Sequence, residues 1–158
     1  MALLNEQVKS QVTEVFRGLN NPVKLVVVTQ EIECPTCRDN RLLAEEIAAL
    51  SDKISVEVLD FVVSWEKAQA YHINKIPALV VQGAKDYGIR FYGTPSGYEF
   101  TSLIHAIRLV SAGESGLAPE LKSQLQTLTE YVHIQVFVTL TCPYCPQAAF
   151  IAQRLAIE

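Results

Sequence analysis

The sequence predicts an α/β fold, a central mixed sheet flanked by helices, followed by the start of a second unit of the same kind. Three observations carry this. Helical and β periodicities alternate over the first two-thirds of the chain, two β-rich runs near residue 80 lie close enough to form a hairpin, and a Cys-x-x-Cys at Cys34 and Cys37 returns 108 positions later at Cys142 and Cys145.

In chain order, Leu4, Val8, Val12, Val15 and Leu19 step by three and four, so a first helix carries one apolar stripe while Glu6, Lys9 and Arg17 face elsewhere. Asn20, Asn21 and Pro22 end it. Val23 to Thr29 is β-branched and nearly uninterrupted in apolar character, the pattern of a central strand covered on both faces. From Pro35 the pattern turns helical, with Leu43, Ile47 and Leu50 on one face and Arg38, Asp39, Glu45 and Glu46 open to solvent. Ile54, Val56 and Val58 alternate with polar neighbours as a second strand, and a short helix follows over about Ser64 to Tyr71. Ala78 to Val81 and Ile89 to Tyr92 read as an antiparallel hairpin around Gly83, Asp86 and Gly88. Gly93, Thr94 and Pro95 separate it from a helix with Phe100, Ile104, Ile107 and Val110 on one side, stopped near Gly113. A strand-helix-strand start joined to a hairpin and a closing helix resembles the thioredoxin fold, and the resemblance covers residues 1 to about 112.

Past Gly113 and Gly116 the chain begins again. Leu121, Leu125 and Leu128 stripe a helix and suggest a core or interdomain face, Val132 to Thr139 is β-rich, and Cys142-Pro143-Tyr144-Cys145 opens another helix. The reading is a first unit over residues 1–113, then a linker and the helix-strand-helix beginning of a second unit over 114–158, unfinished beside the first copy. A lone strand and helix cannot bury Val132, Ile134, Val136, Phe150, Ile151 and Leu155 by themselves. They are expected to dock on the first unit, to dimerise through an exposed strand edge, or to aggregate on standing.

Bulk properties narrow the function. With a net charge of −4 and no local Lys/Arg cluster, the chain has no basic field for nucleic acid or anionic lipid. Glu6, Lys9 and Glu14 interrupt the N-terminal segment, which therefore lacks the apolar run of a secretory signal, and no apolar stretch approaches the ~20 residues of a membrane span. A cytoplasmic protein with neither membrane nor nucleic-acid partner is expected.

Four cysteines in two close pairs point to chemistry or metal rather than to a scattered disulfide framework. Cys34 falls where strand becomes helix, near unsatisfied N–H groups and the positive end of the helix dipole, both of which favour a thiolate. Pro35 suits a first helical position, because it lacks an N–H that would go unpaired there. Cys37, one turn on, can reach back. Attack by Cys34 on a substrate disulfide gives a mixed disulfide, which Cys37 resolves. Zinc or an iron–sulfur cluster and inert core thiols remain as alternatives. The 104 residues between Cys37 and Cys142 argue against a compact zinc ribbon, whose pairs stand about 15–20 residues apart. Glu31 and Glu33 would oppose a thiolate at Cys34 and Arg38 would favour one. Pro77 precedes a β-rich run, and its simplest reading is a proline at a strand start.

Two Cys-x-x-Cys units in tandem, the second with the Cys-Pro-Tyr-Cys of glutaredoxins, resemble the glutaredoxin-like protein disulfide oxidoreductases of thermophilic archaea and bacteria. The stretch from Tyr71 to Pro77 resembles the part of thioredoxins that carries a cis-proline facing the active-site disulfide. The resemblance implies a dithiol–disulfide oxidoreductase with catalytic Cys34 and Cys37 and a second redox pair at Cys142 and Cys145. It also implies Ile76, Pro77, Pro35 and Thr36 on the substrate side, and no cofactor beyond the redox disulfides. Implied partners are protein disulfides or dithiols, with a flavin-dependent reductase or a peroxiredoxin. The pattern departs from ordinary thioredoxins in lacking Trp-Cys-Gly-Pro-Cys and in placing Val28 where they keep a buried aspartate. A further reading is a relay module of a flavoprotein peroxide-reducing system.

The remaining candidates read as structural. Trp65 opens the short helix as a packing residue, and His72, His105 and His133 share no ligand spacing. Tyr144, between two cysteines, is a possible substrate contact.

Overall fold

A nearly uninterrupted apolar run is buried where both faces of a strand are covered, and β1 (Val23–Thr29) takes that place. In the computed structural model, which describes residues 2–158, β1 lies between β2 (Ile54–Asp60) and β3 (Ala78–Gln82), and β4 (Arg90–Tyr92) forms the far edge. Met1 lies outside the described residues. β1 and β2 are parallel, with Val23 opposite Ile54 and Thr29 opposite Asp60. β3 runs antiparallel to both β1 and β4, which confirms the hairpin. A parallel pair needs a crossover, and α2 (Cys37–Ala48) supplies it.

Period-two alternation divides the sheet between two cores. Leu25, Val27, Leu79 and Val81 enter the larger one, against α1 (Glu6–Phe16), α2 and α4 (Glu99–Ala112). Val26, Val28, Ala78 and Val80 enter the smaller one, with Leu59, Ile73 and Ala68 of α3 (Trp65–Ala70). α4 ends at Gly113 in the left-handed conformation, φ 67°, as a C-cap glycine permits.

Several local readings are corrected. Along α1 Val12 and Phe16 are buried and Val15 is exposed, because four residues at 100° each return closer to the same face than three do, and Leu19, also buried, lies past the helix end. In the edge strand β2, Val58 is exposed and Leu59 turns inward to the smaller core. α2 starts at Cys37 rather than Pro35. Pro35 and Thr36 sit in a turn in which the Cys37 N–H donates to the Cys34 carbonyl at 3.3 Å.

Beyond Gly113, α5 (Pro119–Leu125) buries no residue, and Leu121 and Leu128 are exposed, so that stripe is not a core face. The β-rich run at 132–139 forms no strand. A strand exists through its ladder partner, and none of the described strands pairs with this segment. Val132, Ile134 and Val136 are exposed and Phe137 is 88% exposed. The run is tied down past its end, where the Tyr98 N–H donates to the Leu140 carbonyl at 3.1 Å.

α6 (Cys145–Ile157) does dock on the first unit, along α4. Ile157 enters the larger core, Phe150 packs against it with its ring 4.8 Å from His105, and Gln153 Nε2 donates to the Ser102 carbonyl at 3.3 Å. Arg154 Nε donates to the Ser115 carbonyl at 2.6 Å, fastening the helix to the connecting segment. Ile151 stays exposed. Among the described residues no helix is long and apolar enough to cross a membrane.

Two predictions test this packing. Truncating Leu79, fully buried in the larger core, to alanine should cost about 2–5 kcal/mol in denaturant unfolding. Burial, with Arg108 nearby, holds the His105 imidazole below its ordinary value of 6.5. The fold therefore favours neutral His105, and this contribution is fully present above pH 6.5 and lost as pH falls through the lower folded value. Between about pH 7 and pH 5 the wild type should lose stability that His105→Leu does not. Parallel stability curves would contradict it.

Candidate active site

β1 delivers its chain end at the edge of α2, and the turn between them carries the first cysteine pair. Gln30 Nε2 closes this turn onto the Ile32 carbonyl at 2.7 Å, and Glu33 takes a positive φ of 59° just before Cys34. Cys34 and Cys37 form a disulfide with Cα atoms 5.4 Å apart. Cys34 is half-buried, whereas Cys37 is 1% exposed, so one sulfur can be reached from solvent and its partner cannot. Thr36, the N-cap of α2, makes no side-chain capping bond. The first N–H groups of a twelve-residue helix therefore remain free of a side-chain cap beside the sulfurs, where they stabilise negative charge on Cys34 once the bond is reduced.

Two further segments are hydrogen-bonded to one another and to this turn and α2. The Ile76–Pro77 peptide is cis, and Pro77 is buried at the entry to β3. Its carbonyl accepts from the Gly93 N–H at 2.9 Å, and the next carbonyl, Ala78, accepts from Asn40 Nδ2 at 3.4 Å. Thr94 Oγ1 donates to the Thr36 carbonyl at 3.2 Å. The proline segment, the loop after β4 and the first turn of α2 are thus bonded together. Ile76 is half-buried, and its own N–H and carbonyl make no hydrogen bond among the described residues. Pro35 and Thr36 are exposed on the same rim.

The second pair repeats the local geometry on α6. Cys142 and Cys145 form a disulfide with Cα atoms 5.5 Å apart, and the Cys145 N–H donates to Cys142 Sγ at 3.2 Å. Both cysteines are partly exposed and Tyr144 is 80% exposed. The neighbouring segment borders a groove of about 630 Å³ shared with the first pair's surroundings, lined by Thr36, Asp39, Thr94, Glu99, Thr139 and Leu140. Burial holds the Glu99 carboxyl above the ordinary carboxylate range.

Cys34, Pro35, Thr36 and Cys37 share one turn, and hydrogen bonds through Gly93, Thr94 and Asn40 link that turn and α2 to the segment that carries Pro77 and Ala78. Trp65 is half-exposed, edge-on to Phe61 at 5.6 Å. Among the described residues no three His, Cys, Asp or Glu side chains converge as metal donors. Asn40, Thr94 and Glu99 escaped the sequence reading. Asn40 alone left a signal, as an amide on a helix face otherwise held by Leu43, Ala44 and Ile47.

No protein-family model matches the chain. It is 28% identical over 144 residues to the NADH dehydrogenase of Bacillus subtilis and, at the same identity and length, to the F component of the alkyl hydroperoxide reductase of Escherichia coli. Each match covers 91% of the chain and 26% of the relative, so the chain spans about a quarter of the length of these proteins. A solved protein disulfide oxidoreductase from Aeropyrum pernix superposes with a TM-score of 0.89 at 26% identity, covering 96% of this chain and 66% of that one. The N-terminal N/C domain of the alkylhydroperoxide reductase from Enterococcus faecalis superposes with a TM-score of 0.84 at 28% identity, covering 97% and 74%. The chain has the thioredoxin-like fold of these neighbours and resembles their tandem arrangement.

The difference in burial predicts ordered reactivity. After full reduction, iodoacetamide should modify Cys34 at least about tenfold faster than Cys37, as mass spectrometry of digests would show. Equal rates would contradict the assignment of Cys34 as the outward sulfur.

Proposed function

We propose that the chain is a thiol–disulfide oxidoreductase of the cytoplasm, exchanging dithiol and disulfide with protein substrates through Cys34 and Cys37. The observation that carries this reading is the pairing of a reachable Cys34 with an enclosed Cys37 at an uncapped helix start. Substrate disulfide is attacked by the Cys34 thiolate, the leaving thiolate takes a proton, and a mixed disulfide forms. Cys37 then attacks Cys34, the substrate departs as a dithiol, and the Cys34–Cys37 bond takes up the oxidation. Run backwards, the same steps oxidise a dithiol.

Substrate lies on the rim formed by Pro35, Thr36, Ile76 and Pro77. The N–H and carbonyl of Ile76, free of other bonds, are offered to an extended substrate strand. Cys142 and Cys145 act as a second redox pair, and the disulfides themselves are the only redox groups required. The exposed apolar run at 132–137 supplies a surface through which copies of the chain associate.

A second reading is favoured by the relatives named as F components of alkyl hydroperoxide reductase, whose matches extend over 91–98% of the chain. In it the two pairs relay electrons between a flavin-dependent reductase and a peroxide-reducing partner.

Replacing Cys34 by serine should lower turnover of a protein disulfide by about two orders of magnitude or more. The Cys142→Ser, Cys145→Ser variant should retain most of it. If instead turnover survives in Cys34→Ser and vanishes in the double variant, the second pair is the working centre and the relay reading gains.

A further inference from the structure

Asn40 is fully buried, three residues along α2 from Cys37, so both side chains lie on the same face of the helix. Its Nδ2 is committed to the Ala78 carbonyl, but its Oδ1, enclosed from solvent, accepts no hydrogen bond. A buried amide oxygen without a donor is an expensive arrangement that native folds rarely keep without use. In the disulfide form Cys37 has no S–H to offer. Reduction creates one donor in this part of the core, the Cys37 thiol, itself 1% exposed. Val28, buried in β1, is apolar and can accept nothing. The charged side chains of the surrounding elements stand outside the core. Glu31, Glu33, Arg38, Asp39, Arg41 and Lys75 are exposed, and Asp60 and Glu99 are half-buried.

We infer that Asn40 is a positioning residue for the redox pair, whose Oδ1 accepts a hydrogen bond from the Cys37 thiol when the disulfide is reduced. The inference rests on the oxidoreductase reading and deepens it. With dithiothreitol as the reductant, the Cys34–Cys37 bond breaks, the cyclic dithiothreitol disulfide forms, and two electrons and two protons pass to the cysteine pair. The bond to Asn40 exists only on the dithiol side of this equilibrium, so it favours reduction. An acceptor-only oxygen also favours Cys37 as thiol over thiolate, which leaves Cys34 as the ionised member of the pair.

The test is the equilibrium constant with dithiothreitol in a Cys142→Ser, Cys145→Ser background, so that the first pair alone titrates. Asn40→Leu should shift the equilibrium toward the disulfide by about fivefold, the ratio expected for one ordinary hydrogen bond. Loss of the Ala78 bond in this variant affects both redox forms and drops out of the ratio. A purely structural Asn40 would leave the constant unchanged, and that result would overturn the inference. Should Asn40→Leu not fold, the Asn40 side-chain carbonyl carbon is followed by NMR in the unsubstituted protein. Its resonance should differ between the reduced protein and Cys37→Ala, and identical shifts would overturn the inference. A first pair that does not exchange with dithiothreitol at all would remove the oxidoreductase reading and this inference with it, whereas exchange with an unchanged constant would remove only the inference.

Discussion

The structure depends on where β1 hands over to α2. A helix start leaves N–H groups without intrahelical acceptors, and here no side chain caps them. A sulfur placed at that mouth lies beside a concentration of positive partial charge, and a second sulfur one turn further in is close enough to form a ring with it. The remainder of the first unit holds this junction still. β1 is fixed by strands on both sides and cores on both faces, and α2 is held by Leu43, Ala44 and Ile47 in the larger core. Thr94 and Asn40 bind the surrounding loops to the same turn.

Much of this was legible in the residues. The nearly uninterrupted apolar run from Val23, rich in β-branched residues, announced a strand buried on both faces, and the glycines near residue 85 announced a hairpin. The cysteine pair at a strand-to-helix change located the site. Asn40 showed only as an amide on an otherwise apolar helix face and Glu99 left no signal, because their meaning comes from what other elements place against them. A buried amide oxygen without a donor is a property of three-dimensional packing.

The second half of the chain shows where local pattern runs out. Val132 to Thr139 has the composition of a strand, yet composition supplies only a willingness to pair. Without a ladder partner the run forms no strand, and Val132, Ile134, Val136 and Phe137 stay exposed. α6 fared differently because a helix satisfies its own backbone and needs only a surface for one face, which α4 provides through Ser102, His105 and the core around Ile157. Both cysteine pairs thus open helices whose inner faces are covered by the first unit, although the β-rich run leading to the second pair joins no sheet.

The proposed chemistry depends throughout on Cys34 being the sulfur that meets the substrate. The direct measurement is to trap the reaction half-way, by presenting a disulfide-containing protein to Cys37→Ser and mapping the stalled adduct by mass spectrometry. A mixed disulfide located at Cys34 is the predicted result. An adduct found only at Cys142 or Cys145, or none at all from a folded protein, would contradict it.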